Sequence, residues 1–161
     1  MVSILRPNKV SQIGVYNNHR GFCGFIDGSW RRATDQGSSC GVGGYLQDIY
    51  GNLLFFFSGP SIASCALVYE YNALFFLLKS NGDSPLMHKK FTIFSDCQEL
   101  VDSINCLKIT LQVPWFADSS FMDLIHLVNF DFVKIHRDLN SKADSLARQG
   151  VQLGNMFSTW C

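Results

Sequence analysis

FDFVKIHRDLNSKADSLARQG, residues 130–150, carries two structural rhythms in one run. Phe130 to His136 alternates as a strand with two unlike faces does. Ser141 to Gln149 then takes up the helical period, and Gly150 ends it. A strand followed at once by a helix predicts a sheet with a helix laid on it. Asp144 falls in the first turn of that helix, where a carboxylate complements the positive end of the helix dipole. Asn140 or Ser141 already serves as the cap, and Leu146 and Ala147 look core-facing. Asp144 therefore stands at a border between core and solvent.

Upstream, the same two rhythms recur. Phe22 to Asp27 reads as a strand ended by Gly28-Ser29. Arg31 to Ser39 reads as a turn. Cys40 to Gln47 (CGVGGYLQ) is a second strand, its glycines marking close approach of another backbone. Asp48 to Gly51 is a tight turn, and Asn52 to Ser58 is a third strand. Short connections make these three an antiparallel meander. From Ser64 to Ser80 the period becomes helical, with Ala66, Glu70, Ala73, Leu74 and Leu77 on one face, and Asn81-Gly82 stops it. Phe91 to Ser95 is a buried strand, and Cys97 to Cys106 is a short helix. Ile109 to Trp115, broken by Pro114, has no assignment. Asp118 to Val128 is a helix ahead of the last strand. The order is βββαβαβα with that one added helix, which predicts a mixed sheet with helices packed on it.

At 161 residues the chain suits one domain, and a domain of about 150 residues buries roughly 70% of its unfolded surface. Order is expected over 21–150, with 1–20 as a lead-in or linker and 151–161 as an unassigned tail. The lead-in carries Arg6, Lys9 and Arg20 and no acidic residue; a linker fits it better than a transit peptide, the composition of which it shares in part. The composition, 47% hydrophobic and 16% charged, excludes a disordered chain. No apolar run spans a bilayer, so no membrane partner is expected. The net charge of zero argues against tight nucleic-acid binding by charge alone. Six cysteines are widely spaced with no C-x-x-C, which excludes the usual zinc frameworks and reads as reduced, mostly buried thiols of an intracellular protein of nucleus or cytoplasm.

Four carboxylates stand out. Glu70 lies within LVYEYNALFFLL, the most apolar helix, where an isolated ionised group costs several kcal/mol. Alone, it could snorkel or meet an arginine. Asp27 ends the first strand, where it could simply cap a turn. Asp96 follows the fourth strand, where it could cap the next helix with Glu99 completing a capping box. Asp144 could serve the helix dipole. If the first and fourth strands are neighbours, however, Asp27 and Asp96 meet, and four clustered carboxylates repel unless hard cations neutralise them. Mg²⁺ prefers such oxygen ligands.

Together FIDGSW with GVGG, YEYNAL, FSDCQELV and IHRDLNSKADSLA resemble the type 1 ribonuclease H superfamily, especially its plant retroelement-derived domains. The segments stand in the family's order across 21–150, and the last is the most specific. The resemblance implies an α/β ribonuclease H-like fold: a mixed five-stranded sheet in the order 3-2-1-4-5, strands 1–3 antiparallel, strands 4 and 5 parallel to strand 1, and helices on both faces. It implies a metal-dependent endonuclease, expected to be a monomer, that hydrolyses the RNA strand of RNA–DNA hybrids with two Mg²⁺ ions, or Mn²⁺, held by Asp27, Glu70, Asp96 and Asp144. His136 or Arg137 would take the place of the family's mobile histidine. Gly28, Ser29, Arg31, Arg137 and Asn140 are the residues expected to touch substrate.

Three departures bear on function. Tyr69 and Tyr71 flank Glu70, Cys97 follows Asp96, and no basic protrusion for gripping the hybrid is present. The rival expectation is an inactive nucleic-acid-binding or interaction module, which neutral charge and the aromatics Trp30 and Trp115 would suit. Proofreading-type exonucleases carry D-x-E in the first strand, whereas this chain has Asp27-Gly28-Ser29. Integrases end their set in Glu, whereas this one ends in Asp144.

Overall fold

The computed structural model describes residues 21–34 and 37–161, and among them the side chains outside 32–38. The expected lead-in over 1–20 lies outside the described residues. Three antiparallel strands, β1 (Phe22–Thr34), β2 (Gly37–Gln47) and β3 (Leu53–Ser61), are followed by α1 (Ala66–Gly82), β4 (Phe91–Ser95), α2 (Gln98–Thr110), α3 (Ser119–Leu127) and β5 (Phe130–Lys134). A 3₁₀ turn at Arg137–Leu139 leads into α4 (Ser141–Gly150), and β6 (Phe157–Trp160) closes the chain. The sheet runs β5-β4-β1-β2-β3-β6, with β4 parallel to β1 and β5 parallel to β4. The 3-2-1-4-5 core and its strand directions are those expected from the sequence.

β3 runs on to Ser61, and other ends shift by one or two residues; the differences that matter are in β1, α2 and the tail. β1 does not stop at Asp27: Gly28 and Ser29 pair with Val42 and Gly41, and the ladder to β2 continues to Thr34↔Gly37. Pairing with a neighbouring strand overrides the local turn preference of Gly-Ser. Most of the turn expected over 31–39 is therefore strand. α2 runs past Cys106 to Thr110 and is closed by Leu111 in the left-handed region, φ 60°. The tail contributes a sixth strand, antiparallel to β3 on the sheet edge. FSTW is too short to show a period; Trp160 stacking on Phe55 at 4.6 Å and Phe157 on Phe56 at 5.8 Å hold it in place.

Strand alternation sends side chains to two cores. Ile26, Val42, Leu46, Phe55 and Phe57 pack against α1, α2 and α3 through Leu74, Leu77, Ile104 and Phe121. Phe25, Tyr45, Phe94 and Ile135 form a smaller core on the opposite face, closed by Ala143 and Leu146 of α4. Helices thus cover both faces. α4 lies close on the sheet because β2 presents glycine there: a Cβ on Gly43 would stand 2.4 Å from Ala147 N and 2.5 Å from Leu146 Cβ. The close approach read from CGVGG is that of α4.

All six cysteines are free, as expected, but Cys65, Cys106 and Cys161 are exposed, so the thiols are less buried than composition alone suggested. Among the described residues no helix is long and apolar enough to cross a membrane.

Candidate metal centre

The last paired residues of the parallel β1–β4 ladder are Phe25 and Phe94. β4 ends one residue later, at Ser95, and Asp96 follows it directly. Asp27, still within β1, is the matching residue on the neighbouring strand. Two carboxylates are thereby set side by side at the open end of the ladder. Glu70 reaches the same point from α1, which crosses β1 so closely that a Cβ on Gly28 would lie 2.2 Å from the Tyr69 ring. One ligand oxygen from each of Asp27, Glu70 and Asp96 lies within 4.8 Å of the others. Among the described residues this is the one group of three or more acidic, histidine or cysteine side chains so placed.

None of the modest roles open to these residues is the one found. Glu70 is 6% exposed and, among the described residues, meets no arginine, and its Oε2 has no hydrogen-bond partner there. Asp96 does not cap α2, whose N-cap is Cys97 without a side-chain bond. Its Oδ2 is buried and likewise lacks a hydrogen-bond partner, the Arg137 Nε at 3.9 Å being an ion-pair neighbour beyond hydrogen-bond length. Asp27 Oδ1 accepts from the Gly28 amide at 2.9 Å. Burial pushes the Asp27 carboxyl from 3.8 up to about 7, the charges of Asp96 and Asp144 adding to the effect while hydrogen bonds with Glu70 and Gly28 oppose it. Burial, then the charge of Asp27 and its hydrogen bond, hold Glu70 well above the ordinary carboxylate range. Without a cation, both carboxyls are pushed toward their neutral, protonated forms.

This donor set fits a hard divalent cation. The ligands are all oxygen, they are crowded and buried, and two buried oxygens have nothing to bond to; a cation supplies what protonation otherwise must.

Asp144 stands apart from the trio. It belongs to the wall of the same cavity, about 500 Å³, that Asp27 and Glu70 line. Its Oδ2 is 3.0 Å from Arg148 Nη2, one helical turn on. Its charge still reaches Asp27.

The substrate-facing expectations divide. Gly28, Ser29, Arg31 and Arg137 line the cavity, as does exposed Trp30. Asn140 does not: it is wholly buried, and its Nδ2 donates to the Ile26 carbonyl at 2.8 Å. Its expected contact with substrate is replaced by a positioning role, tying the start of α4, and so Asp144, to the residue before Asp27. His136 also turns elsewhere. It is 72% exposed, its Nδ1 accepts from the Asp138 amide at 3.2 Å, and it lies outside the cavity lining. Between the two alternatives for that loop, Arg137 is the one beside the carboxylates. Arg148 went unnoticed in the sequence, although its spacing of four from Asp144 on one helix was the available signal.

A family model described as reverse transcriptase-like matches residues 25–150. The chain belongs to the reverse transcriptase-like family. The match takes in β1 through α4, and with them all four carboxylates. Solved structures similar to this family member include LC11 ribonuclease H1 in complex with an RNA/DNA hybrid, with a TM-score of 0.66 and 23% identity over 81% of this chain and 96% of that one. LC11 ribonuclease H1 was isolated from compost by a metagenomic approach. The foamy viral protease–reverse transcriptase in complex with dsDNA gives a TM-score of 0.67 and 20% identity over 83% of this chain and 96% of that one. Ribonuclease H1 from the halophilic archaeon Halobacterium salinarum NRC-1 gives 0.61 and 19% over 80% and 96%. At these identities the likeness is one of fold, and the fold is ribonuclease H-like. No curated protein matches the chain.

Proposed function

We propose that this reverse transcriptase-like domain is a metal-dependent endonuclease that hydrolyses the RNA strand of RNA–DNA hybrids. The observation that supports it most is the convergence of Asp27, Glu70 and Asp96 within 4.8 Å, with two buried oxygens left without hydrogen-bond partners among the described residues. Asp27, Glu70 and Asp96 would hold the cation, Mg²⁺ by ligand type with Mn²⁺ as substitute, and Asp144 would join them from the cavity wall. When bound, a divalent cation supplies activation of water and neutralisation of phosphate charge.

The chain's own residues do the rest. The Gly28 amide fixes one Asp27 oxygen and leaves the other for the site. Asp27 and Glu70, both raised by burial, must be deprotonated before they can act as ligands. Arg31 and Arg137 line the cavity and offer guanidinium donors to backbone phosphates, for which their fork geometry is suited. Ser29 and Gly28, at the cavity wall, are candidates to meet the 2′-hydroxyls that distinguish RNA from DNA.

One observation favours the alternative, a retroelement-derived module that binds hybrid without cutting it: Asp144 is engaged by Arg148 instead of joining the trio. A labelled hybrid incubated with Mg²⁺ and resolved on a denaturing gel separates the two. Cleavage confined to the RNA strand, absent with EDTA and absent in Asp27→Asn, is the expected result. Retention of intact hybrid by a folded protein at every Mg²⁺ concentration would leave only the binding module.

A further inference from the structure

We infer that Arg148 is a substrate-positioning residue, bound to Asp144 in the free chain and handed to a backbone phosphate of the nucleic acid when Asp144 turns to a cation. The inference rests on the nuclease reading above and adds a residue and a coupling to it.

Three features carry it. Arg148 and Asp144 are paired at 3.0 Å, yet both also line the cavity that holds Asp27 and Glu70. The Arg148 side chain is 71% exposed, so no packing pins it to its partner. The helix beneath it is firmly seated: Ala143 and Ala147 are wholly buried, and Asn140 bonds to Ile26 at its start. An exposed guanidinium therefore stands on a firmly packed helix at the rim of an acidic cavity.

The energetics permit exchange. An exposed ion pair one helical turn apart shifts an equilibrium by only about twofold. A phosphate accepts two parallel hydrogen bonds from a guanidinium and is at least as good a partner as the carboxylate. Asp144 lines the same cavity as Asp27 and Glu70, so a cation held there lies on its side of the wall. A cation that takes Asp144 releases Arg148, and a phosphate that takes Arg148 releases Asp144. Each ligand then favours the other by the same factor, as linkage requires. No basic protrusion is present among the described residues, and this transfer supplies a positive group to the substrate as the acidic centre is neutralised.

The test is a double-mutant cycle on binding, without catalysis. Fluorescence anisotropy in EDTA measures the affinity of the full chain for labelled RNA–DNA hybrid, using wild type, Asp144→Asn, Arg148→Gln and the double variant. With Arg148 present, Asp144→Asn should tighten binding about twofold, because the guanidinium is freed. In the Arg148→Gln background the same change should have an effect below about 1.5-fold. Arg148→Gln should also flatten the salt dependence by about one counterion in the Asp144→Asn background, and Arg148→Lys should restore that slope. Thermal melts close to wild type confirm that the variants are folded. Equal tightening by Asp144→Asn in both backgrounds, or an unchanged salt slope, would make Arg148 a fixed counter-ion and overturn the inference. Failure of the nuclease reading shows separately, as hybrid bound and coupled but never cut.

Discussion

Asp27 and Asp96 each stand two residues beyond Phe25 and Phe94, the last pair of the parallel β1–β4 ladder. Their proximity is thus a matter of register, and a parallel ladder holds register rigidly through evenly spaced hydrogen bonds. The ladder sets the two backbones side by side at its end, so repulsion between the buried carboxylates favours a proton or a cation there. Glu70, brought in by α1, makes the demand greater.

Asp27→Asn keeps the shape and removes one charge. Mg²⁺-dependent cleavage of hybrid should fall by at least about a hundredfold, in the range typical for loss of an electrostatic catalytic group. The cation-free protein should melt a few degrees higher, since about 1 kcal/mol corresponds to roughly 2–4 °C in a chain of this size. A gel assay and a thermal melt in EDTA check both halves.

The raised carboxylates set a pH dependence of stability. Asp27 titrates near 7 in the folded, cation-free chain against 3.8 ordinarily, and Glu70 is raised in the same direction. Between those values the folded chain retains a proton that the unfolded chain has released. Stability from this source is complete below about pH 4 and declines as pH rises through 7. In EDTA the melting temperature should be lower at about pH 8 than at about pH 5.5. Added Mg²⁺ should raise it more at the higher pH, where no proton competes. A Mg²⁺ effect that is equal at both values would contradict binding at these carboxyls.

Asn140→Ala leaves the Ile26 carbonyl without its buried donor. The cost should be about 1–3 kcal/mol, read as a lowered melting temperature. Cleavage of the remaining folded protein should also drop, because Asp144 loses its tie to β1. Asn140→Ser, too short to reach, should behave like the alanine variant.

Arg137 and His136 make opposite predictions. Arg137→Gln should weaken hybrid binding and reduce its salt slope by about one, the signature of a lost phosphate contact. His136→Ala should leave binding and cleavage within about twofold, since His136 faces Asp138 and solvent. A large loss in His136→Ala with none in Arg137→Gln would reverse this assignment.

Gly28→Ala should destabilise the fold by about 1–3 kcal/mol through overpacking against the Tyr69 ring. Pairing it with Tyr69→Ala should recover part of that loss, because the nearest colliding atom is a ring carbon at 2.2 Å. Melting of the single and double variants measures the recovery.

What the sequence determined by itself is the inventory. Alternation and helical period, with Gly150 and Asn81-Gly82 as stops, define the five core strands and four helices and their order, and Asp27, Glu70, Asp96 and Asp144 are conspicuous because each sits beside a turn signal, at a helix start or where the chain should be apolar. These signals are local, carried by residues a few positions apart, so they survive without coordinates. Tertiary structure alone decided the relations between distant segments: the β1–β4 register that joins Asp27 to Asp96, the bond from Asn140 to Ile26, the seating of FSTW on β3, and the turning of Arg137 rather than His136 toward the carboxylates. Each depends on strand pairing, helix docking or a side-chain rotamer, and none of these leaves a periodic trace in a single chain.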